Sequence, residues 1–296
     1  MEVRSYRTFT KAGFLTVRAR VWTCSTATIT IVCAHGISRN SSDFIKLGRQ
    51  FQADYNVVAV DLIGHGMSDL PESADDYLTG IQTASLAGVL TQIPASQKIV
   101  WLGTSFGGSV GLRLAAQRGS PIQGLILNDV GTIISGENIL SLKERFRRLP
   151  KFECLAAAKP FVRHMLGMKP SVGTEDELEQ YARYNLWHDP ADNSWRLAFD
   201  PRLIVYFERH QDEGSDFTQL WENLNCPALI FRGELSHFLS ARDVREMLQR
   251  QPRAKAAVVP QAKHPPDLSG PEPVASIRSW INEIFPECSV TRPSCA

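Results

Sequence analysis

The chain of 296 residues has no surplus of charge and no long apolar run. Its 32 Lys and Arg face 31 Asp and Glu, for a formal net charge of +1. That balance offers no basic footprint for nucleic acid or an anionic membrane surface. No apolar stretch approaches the ~20 residues of a spanning helix. The opening Met1-Glu2-Val3-Arg4-Ser5-Tyr6-Arg7 lacks the apolar core of a secretory signal, so a cytoplasmic protein is expected. The six cysteines form no C-x-x-C pair, and the seven histidines form no H-E-x-x-H. No metal and no cofactor are expected from such spacing. Repeats and low-complexity tracts are missing too.

What is present suits one large α/β domain, or a domain with an insertion. Apolar residues make up 43% of the chain, enough for a sizeable core. Thr16 to Trp22 alternates apolar and polar residues, as a half-exposed strand does. Thr28 to Ala34, Asn56 to Asp61, Lys98 to Leu102, Ile122 to Leu127, Cys226 to Gly233 and Ala256 to Val259 are short apolar runs suited to strands covered on both faces. Helical segments are expected after Asn40, over Thr79 to Leu90, after Gly108, over Ala241 to Arg250 and over Pro273 to Phe285. Alternation at this spacing implies βαβ units and a mostly parallel sheet with helices on both faces.

The alternation stops between Thr132 and Leu224. Thr174-Glu175-Asp176-Glu177 has the form of a capping box, and Trp187, Trp195, Phe199, Tyr206 and Phe207 add apolar surface. Residues 132–224 are therefore expected to form a helical insertion over a core of residues 1–131 and 225–285. Trp187 and Trp195 are candidates to line a substrate pocket. The tail, 286–296, has little to bury and is expected to be disordered. Cys33 and Cys226 read as buried thiols, and Cys288 and Cys295 are free to pair, although nothing requires it. Asn40-Ser41-Ser42 is a glycosylation sequon that an unsecreted protein leaves unused.

One stretch carries chemistry. Gly103-Thr104-Ser105-Phe106-Gly107-Gly108 reads G-x-S-x-G between an apolar strand and a small-residue helix. Such a turn holds a serine clear of the backbone, above a helix N-terminus that favours developing negative charge. A serine hydroxyl needs a base, and the base needs a buried carboxylate to orient it, in the chain order Ser, acid, His. His264 follows the last strand and lies where ligand sites of open α/β sheets lie, at the strand C-terminal edge. His35 and His65 precede the serine beside glycines and read as turn packing. His237 reads as a surface residue.

These pieces resemble the α/β-hydrolase superfamily, and within it the lid-bearing, esterase-like group. The likeness rests on His35-Gly36, Arg39-Asn40 with Asp43-Phe44, Asp61-x-x-Gly64-x-Gly66-x-Ser68, Gly103-x-Ser105-x-Gly107, Leu127 to Gly131, Asp200-Pro201 and Lys263-His264-Pro265. It spans nearly the whole chain and names a fold, not a substrate. It implies an α/β-hydrolase fold with the insertion as lid, Ser105 as nucleophile and His264 as base. It also implies an oxyanion hole of the backbone N–H groups of Ile37 and Phe106. The acid departs from the pattern. Where relatives carry Ser-Asp after the glycine that closes the strand at Gly233, this chain has Ser236-His237. Asp129, Glu234 and Asp243 are the candidates, and an acidless site is a fourth possibility. Asp129 is preferred, since some members, haloalkane dehalogenases among them, place the acid at that strand end. The expected activity is hydrolysis of an ester or lactone of a small, largely apolar acyl compound. Carbon–carbon bond hydrolysis of a diketone-like compound and non-catalytic small-molecule binding are the alternatives.

Overall fold

The computed structural model describes residues 1–11, 13–165, 174–209 and 214–288. The chain opens with strands β1 (Glu2–Thr10), β2 (Gly13–Trp22) and β3 (Ile29–Ala34). Helix α1 (Ile45–Phe51), strand β4 (Asn56–Val60), helix α2 (Thr79–Leu90), strand β5 (Lys98–Thr104), helix α3 (Phe106–Ala115) and strand β6 (Ile122–Asn128) follow. Next come β7 (Ile133–Ile134), α4 (Gly136–Arg147), α5 (Leu155–Met165), α6 (Glu175–Asn185), β8 (Leu186–Asp189) and β9 (Ser194–Leu197). Helix α7 (Ile204–Arg209), β10 (Ser215–Asp216) and α8 (Thr218–Glu222) complete that stretch. The chain then returns with β11 (Ala228–Gly233), α9 (Ala241–Arg250), β12 (Ala254–Val259) and α10 (Pro271–Ile284).

Eight strands make one sheet in the order β1-β2-β4-β3-β5-β6-β11-β12. The pairs β1–β2 and β2–β4 are antiparallel and the rest parallel. The continuous apolar runs follow from burial on both faces. Because successive side chains point to opposite faces, Ile31, Cys33, Val57, Ala59, Val100 and Leu102 pack toward α1 and α10. Their neighbours Val32, Ala34, Val58, Val60 and Trp101 pack in a second core with residues of α2, α3 and α9. Strand β1 escapes the periodicity reading for a physical reason. Its inward positions are Tyr6, Thr8 and Thr10, which carry no run of aliphatic side chains.

Residues 132–224 are not all helix. Two small ribbons, β7–β10 and β8–β9, lie outside the main sheet. Their strands are two and four residues long and partly exposed, too short for an alternating pattern to register. The capping box is present at α6, where Thr174 Oγ1 accepts from Glu177 N and Glu177 Oε2 accepts from Thr174 N. This stretch is fastened to the core by polar bonds. Tyr77 donates to Asp200 Oδ2 at 2.7 Å, Asp200 N to Gly64 O at 2.8 Å, and Gly66 N to Ala198 O at 2.8 Å. The sequon residue Asn40 is buried and donates to Tyr184 O at 3.0 Å. Part of the expected disordered tail is ordered: Pro286–Cys288 forms a 3-10 turn. Residues 289–296, and with them a Cys288–Cys295 pair, lie outside the described residues. Among the described residues, no helix is long and apolar enough to cross a membrane.

Candidate active site

Ser105 stands between β5 and α3 with φ 50° and ψ −115°. A non-glycine residue held there stores about 1–3 kcal/mol of strain, which its surroundings must oppose. They do so with three backbone bonds: Ser105 N donates to Asn128 O at 3.0 Å, and Gly108 N and Ser109 N donate to Ser105 O at 2.9 and 3.0 Å. The turn is too tight for side chains on either side. A Cβ at Gly103 would stand 2.3 Å from Gly107 O, and one at Gly107 would stand 2.2 Å from Ala34 O.

Asp129, directly after β6, has φ 57° and is fully buried. Its Oδ1 accepts from Gly233 N at 3.1 Å, and its own N–H donates to Phe231 O at 2.8 Å. The other oxygen, Oδ2, lies 2.8 Å from His264 Nδ1, and His264 Nε2 lies 3.2 Å from Ser105 Oγ. The imidazole is 13% exposed, and Phe238 stacks on it at 3.9 Å between ring centres. Asn128 Nδ2 pins the loop after His264 through Pro266 O at 3.1 Å. With Nδ1–H donated to the carboxylate, Nε2 is left to accept from the Ser105 hydroxyl. This arrangement is able to move a proton off the hydroxyl.

The N–H groups of Ile37 and Phe106 have no backbone acceptor among the described residues, and both residues border the space beside Ser105. Phe106 also opens α3, so its N–H belongs to the positive end of that helix.

Residues 31–277 match the model of the alpha/beta hydrolase family. The chain belongs to that family. It is a hydrolase. The chain is 29% identical to the 3-hydroxybutyrate-oligomer hydrolase of Cupriavidus necator, across 83% of this chain and 85% of that protein. It is 25% identical to the 2-(acetamidomethylene)succinate hydrolase of Mesorhizobium japonicum, across 86% of this chain and 83% of that one. An alpha/beta hydrolase structure from Novosphingobium aromaticivorans superposes with a TM-score of 0.79 at 24% identity, covering 95% of this chain and 98% of that one.

In this hydrolase the other acid candidates are engaged elsewhere. Glu234 is exposed and its Oε2 accepts from Gln261 N at 2.8 Å, fastening the turn ahead of His264 without touching it. Asp243 closes the capping box of α9 with Ser240. Ser236 Oγ accepts from Phe238 N at 3.1 Å and shapes the turn that carries the stacked ring. His237 is exposed. His35 and His65 are fully enclosed turn residues. Burial depresses their pKa values to about 3 and about 4, so both are neutral. His35 Nε2 accepts from Leu62 N at 3.0 Å, and His65 Nε2 lies 2.7 Å from Ile37 O.

Beside Ser105 lies a small cavity of about 30 Å³. Its walls include Val130, Ile134, Ile139, Leu142, Tyr206 and Phe207. Trp187 and Trp195 are not among its lining residues, which corrects the pocket expected from the sequence. Trp187 projects from the β8–β9 ribbon and is 40% exposed. Trp195 faces His188, and its backbone pairs with Phe152. Tyr206 and Phe207 were legible only as apolar surface of the insertion; Tyr206 meets Phe106 edge-on at 5.3 Å. Ser109 also lines the cavity and carried no motif signal beyond its place four residues after Ser105.

Proposed function

We propose that this hydrolase cleaves esters or lactones of a small, uncharged acyl group through an acyl-enzyme on Ser105. One observation carries the reading: the Ser105–His264–Asp129 chain of hydrogen bonds opens on a small, mostly apolar cavity. Among the described residues no Lys or Arg lines that cavity, so an acyl group bearing a carboxylate finds no counter-ion there. This favours a neutral ester over a charged carbon–carbon substrate. The relative from Cupriavidus necator, named for an oligomer whose units are ester-linked, supports the same bond type.

In this scheme the Ser105 proton passes to His264 Nε2 as Oγ bonds to the carbonyl carbon. The carbonyl electron pair moves to oxygen, and the N–H groups of Ile37 and Phe106 hold that oxyanion. Removing one such donor costs about 10²–10³ in turnover where it has been measured in a protease. Collapse restores the carbonyl, breaks the bond to the alcohol, and returns the proton from His264 to the leaving oxygen. Water repeats the sequence: it gives a proton to His264, bonds to the acyl carbon, and expels Ser105 Oγ, which regains the proton. Asp129 keeps the proton on Nδ1 throughout and stabilises the imidazolium. The insertion between β6 and β11 acts as a lid that supplies Tyr206 and Phe207 to the acyl pocket.

A fluorophosphonate probe and a chromogenic short-chain ester test the reading together. Labelling and turnover by the native protein, both lost in Ser105→Ala, are expected. Labelling that persists in Ser105→Ala, or turnover of a ring-cleavage dienoate in place of the ester, overturns it.

A further inference from the structure

The turn after β11 brings an aromatic ring to His264. Phe238 lies face to face with the imidazole, with ring centres 3.9 Å apart and planes 18° apart. Ring pairs elsewhere in the molecule are wider and set at steeper angles: Phe106 meets Tyr206 at 5.3 Å and 80°, and Phe146 meets Phe207 at 5.0 Å and 55°. Those follow the ordinary preference of neutral rings, whose electron-rich faces oppose each other in a close stack. The stack on His264 is held by the backbone on either side of Phe238. Ser236 Oγ accepts from Phe238 N at 3.1 Å and from Leu239 N at 3.3 Å. Leu239 O accepts from Arg232 Nε at 2.8 Å, and the Leu239 side chain is fully buried, which anchors the turn.

This placement leaves both working edges of the imidazole free. Nδ1 faces Asp129 Oδ2 at 2.8 Å and Nε2 faces Ser105 Oγ at 3.2 Å, while Phe238 covers a face of the ring. Phe238 also borders the cavity beside Ser105. The face of a phenyl ring carries the negative part of its quadrupole. It gains little from a neutral imidazole and attracts an imidazolium, as it attracts other cations within about 6 Å of its centre. In the proposed reaction the base is neutral before Ser105 gives up its proton and positive once it has taken it. An interaction that is stronger after that transfer than before it lowers the barrier and raises turnover. The imidazole is only 13% exposed, so little water competes with the ring.

We propose that Phe238 is a positioning residue for the base: its ring face holds His264 between Asp129 and Ser105 and stabilises the imidazolium that forms in each half of the reaction. Asp129 acts on that charge through Nδ1–H, in the plane of the imidazole. Phe238 acts on it across the plane. The inference rests on His264 serving as the base in the proposed reaction and adds a second stabiliser of its charged state.

The experiment replaces Phe238, in the full chain, by 4-fluoro-, 3,5-difluoro- and pentafluoro-phenylalanine. These drain negative charge from the ring face and nearly keep its shape, so the turn folds as before. Two rates are read: labelling of Ser105 by a small dialkyl fluorophosphate, and kcat on chromogenic acetate and butyrate esters. Labelling needs the same base and no ester: Ser105 Oγ bonds to phosphorus, fluoride leaves, and the serine proton passes to His264. Both rates are expected to fall stepwise with fluorine content, by about threefold to thirtyfold from phenylalanine to the pentafluoro ring. Acetate and butyrate are expected to lose the same factor, because the effect runs through His264 and not through the acyl chain. A merely structural role predicts a flat series, and flat labelling overturns the proposal whatever the esters do. Ester turnover that stays level, or a loss confined to butyrate, overturns it too; the latter makes Phe238 a wall of the acyl pocket. If labelling falls along the series while native protein turns over neither ester, the ester reading fails and the role of Phe238 stands. If native Ser105 is not labelled, both fall.

Discussion

Replacing Asp129 by Asn changes one atom at the centre of the site, and the geometry fixes what that atom does. Asp129 is fully buried, so the isosteric amide leaves no cavity. Its carbonyl oxygen takes the place of Oδ1, which accepts from Gly233 N at 3.1 Å. The amide nitrogen then occupies the Oδ2 position, 2.8 Å from His264 Nδ1. That nitrogen is a donor and needs a lone pair opposite it. His264 meets the need by moving its proton from Nδ1 to Nε2, which faces Ser105 Oγ at 3.2 Å. The ring then donates to the serine hydroxyl instead of accepting from it, and the base is lost. In a serine protease the corresponding change lowers turnover about 10⁴-fold, roughly 5.5 kcal/mol in the barrier. The expectation for Asp129→Asn is a fall in kcat of that order on a chromogenic ester, with KM little changed and the urea unfolding midpoint near that of native protein. Glu234→Gln is the control, since Glu234 accepts from Gln261 and not from His264. It is expected to keep activity within a small factor. An Asp129→Asn enzyme working within tenfold of the native rate, or a Glu234→Gln enzyme with the large loss, refutes the assignment.

Two further outcomes test the framework around the site. The buried His35 and His65 are depressed to about 3 and about 4, so unfolding exposes groups that take up protons below about 6.5. Their contribution is complete above that pH and falls on acidification by about 1.4 kcal/mol per pH unit each, for His65 down to about pH 4. Burial raises Asp61 and works in the opposite sense, so the slope is best read as a difference. Urea unfolding between pH 7 and 5 is expected to be flatter in His65→Gln than in native protein, and equal slopes contradict the assignment. Gly107→Ala places a Cβ 2.2 Å from Ala34 O and 2.7 Å from His35 O, both backbone atoms. A stability loss of about 3 kcal/mol is expected in denaturant titration, with loss of turnover, and a native-like midpoint shows that the turn gives way more easily than its packing implies.

The sheet interior was legible because burial on both faces writes itself as apolar runs, as in Thr28 to Ala34 and Lys98 to Leu102. Ser105 and His264 were legible because their turns impose residue types: glycines that no Cβ fits, and a histidine just past the last parallel strand. The pocket was not. Trp187 and Trp195 are large and apolar, but their direction follows from the pairing of a four-residue ribbon, which leaves no periodic trace. Ile134 and Ile139 reach the cavity from β7 and α4 through tertiary packing alone.

The carboxylate that contacts His264 was half legible, and the sheet order explains why. Strands β6 and β11 are parallel neighbours, with Asn128 beside Phe231 in register, although the whole 132–224 stretch separates them in sequence. Neighbouring strands run about 4.8 Å apart, so the ends of both lie close to the same histidine. Here the end of β6 supplies the carboxylate and the end of β11 supplies what holds it. Gly233 N donates to Asp129, Glu234 ties down Gln261, and Ser236 shapes the turn bearing the Phe238 that stacks on His264. Gly233 at the end of β11 and Glu234 and Ser236 just beyond it each have a task in positioning the histidine or its partner. Ser236-His237, where the resembling pattern carries Ser-Asp, instead shapes the turn bearing Phe238, and the carboxylate in contact with His264 is that of Asp129.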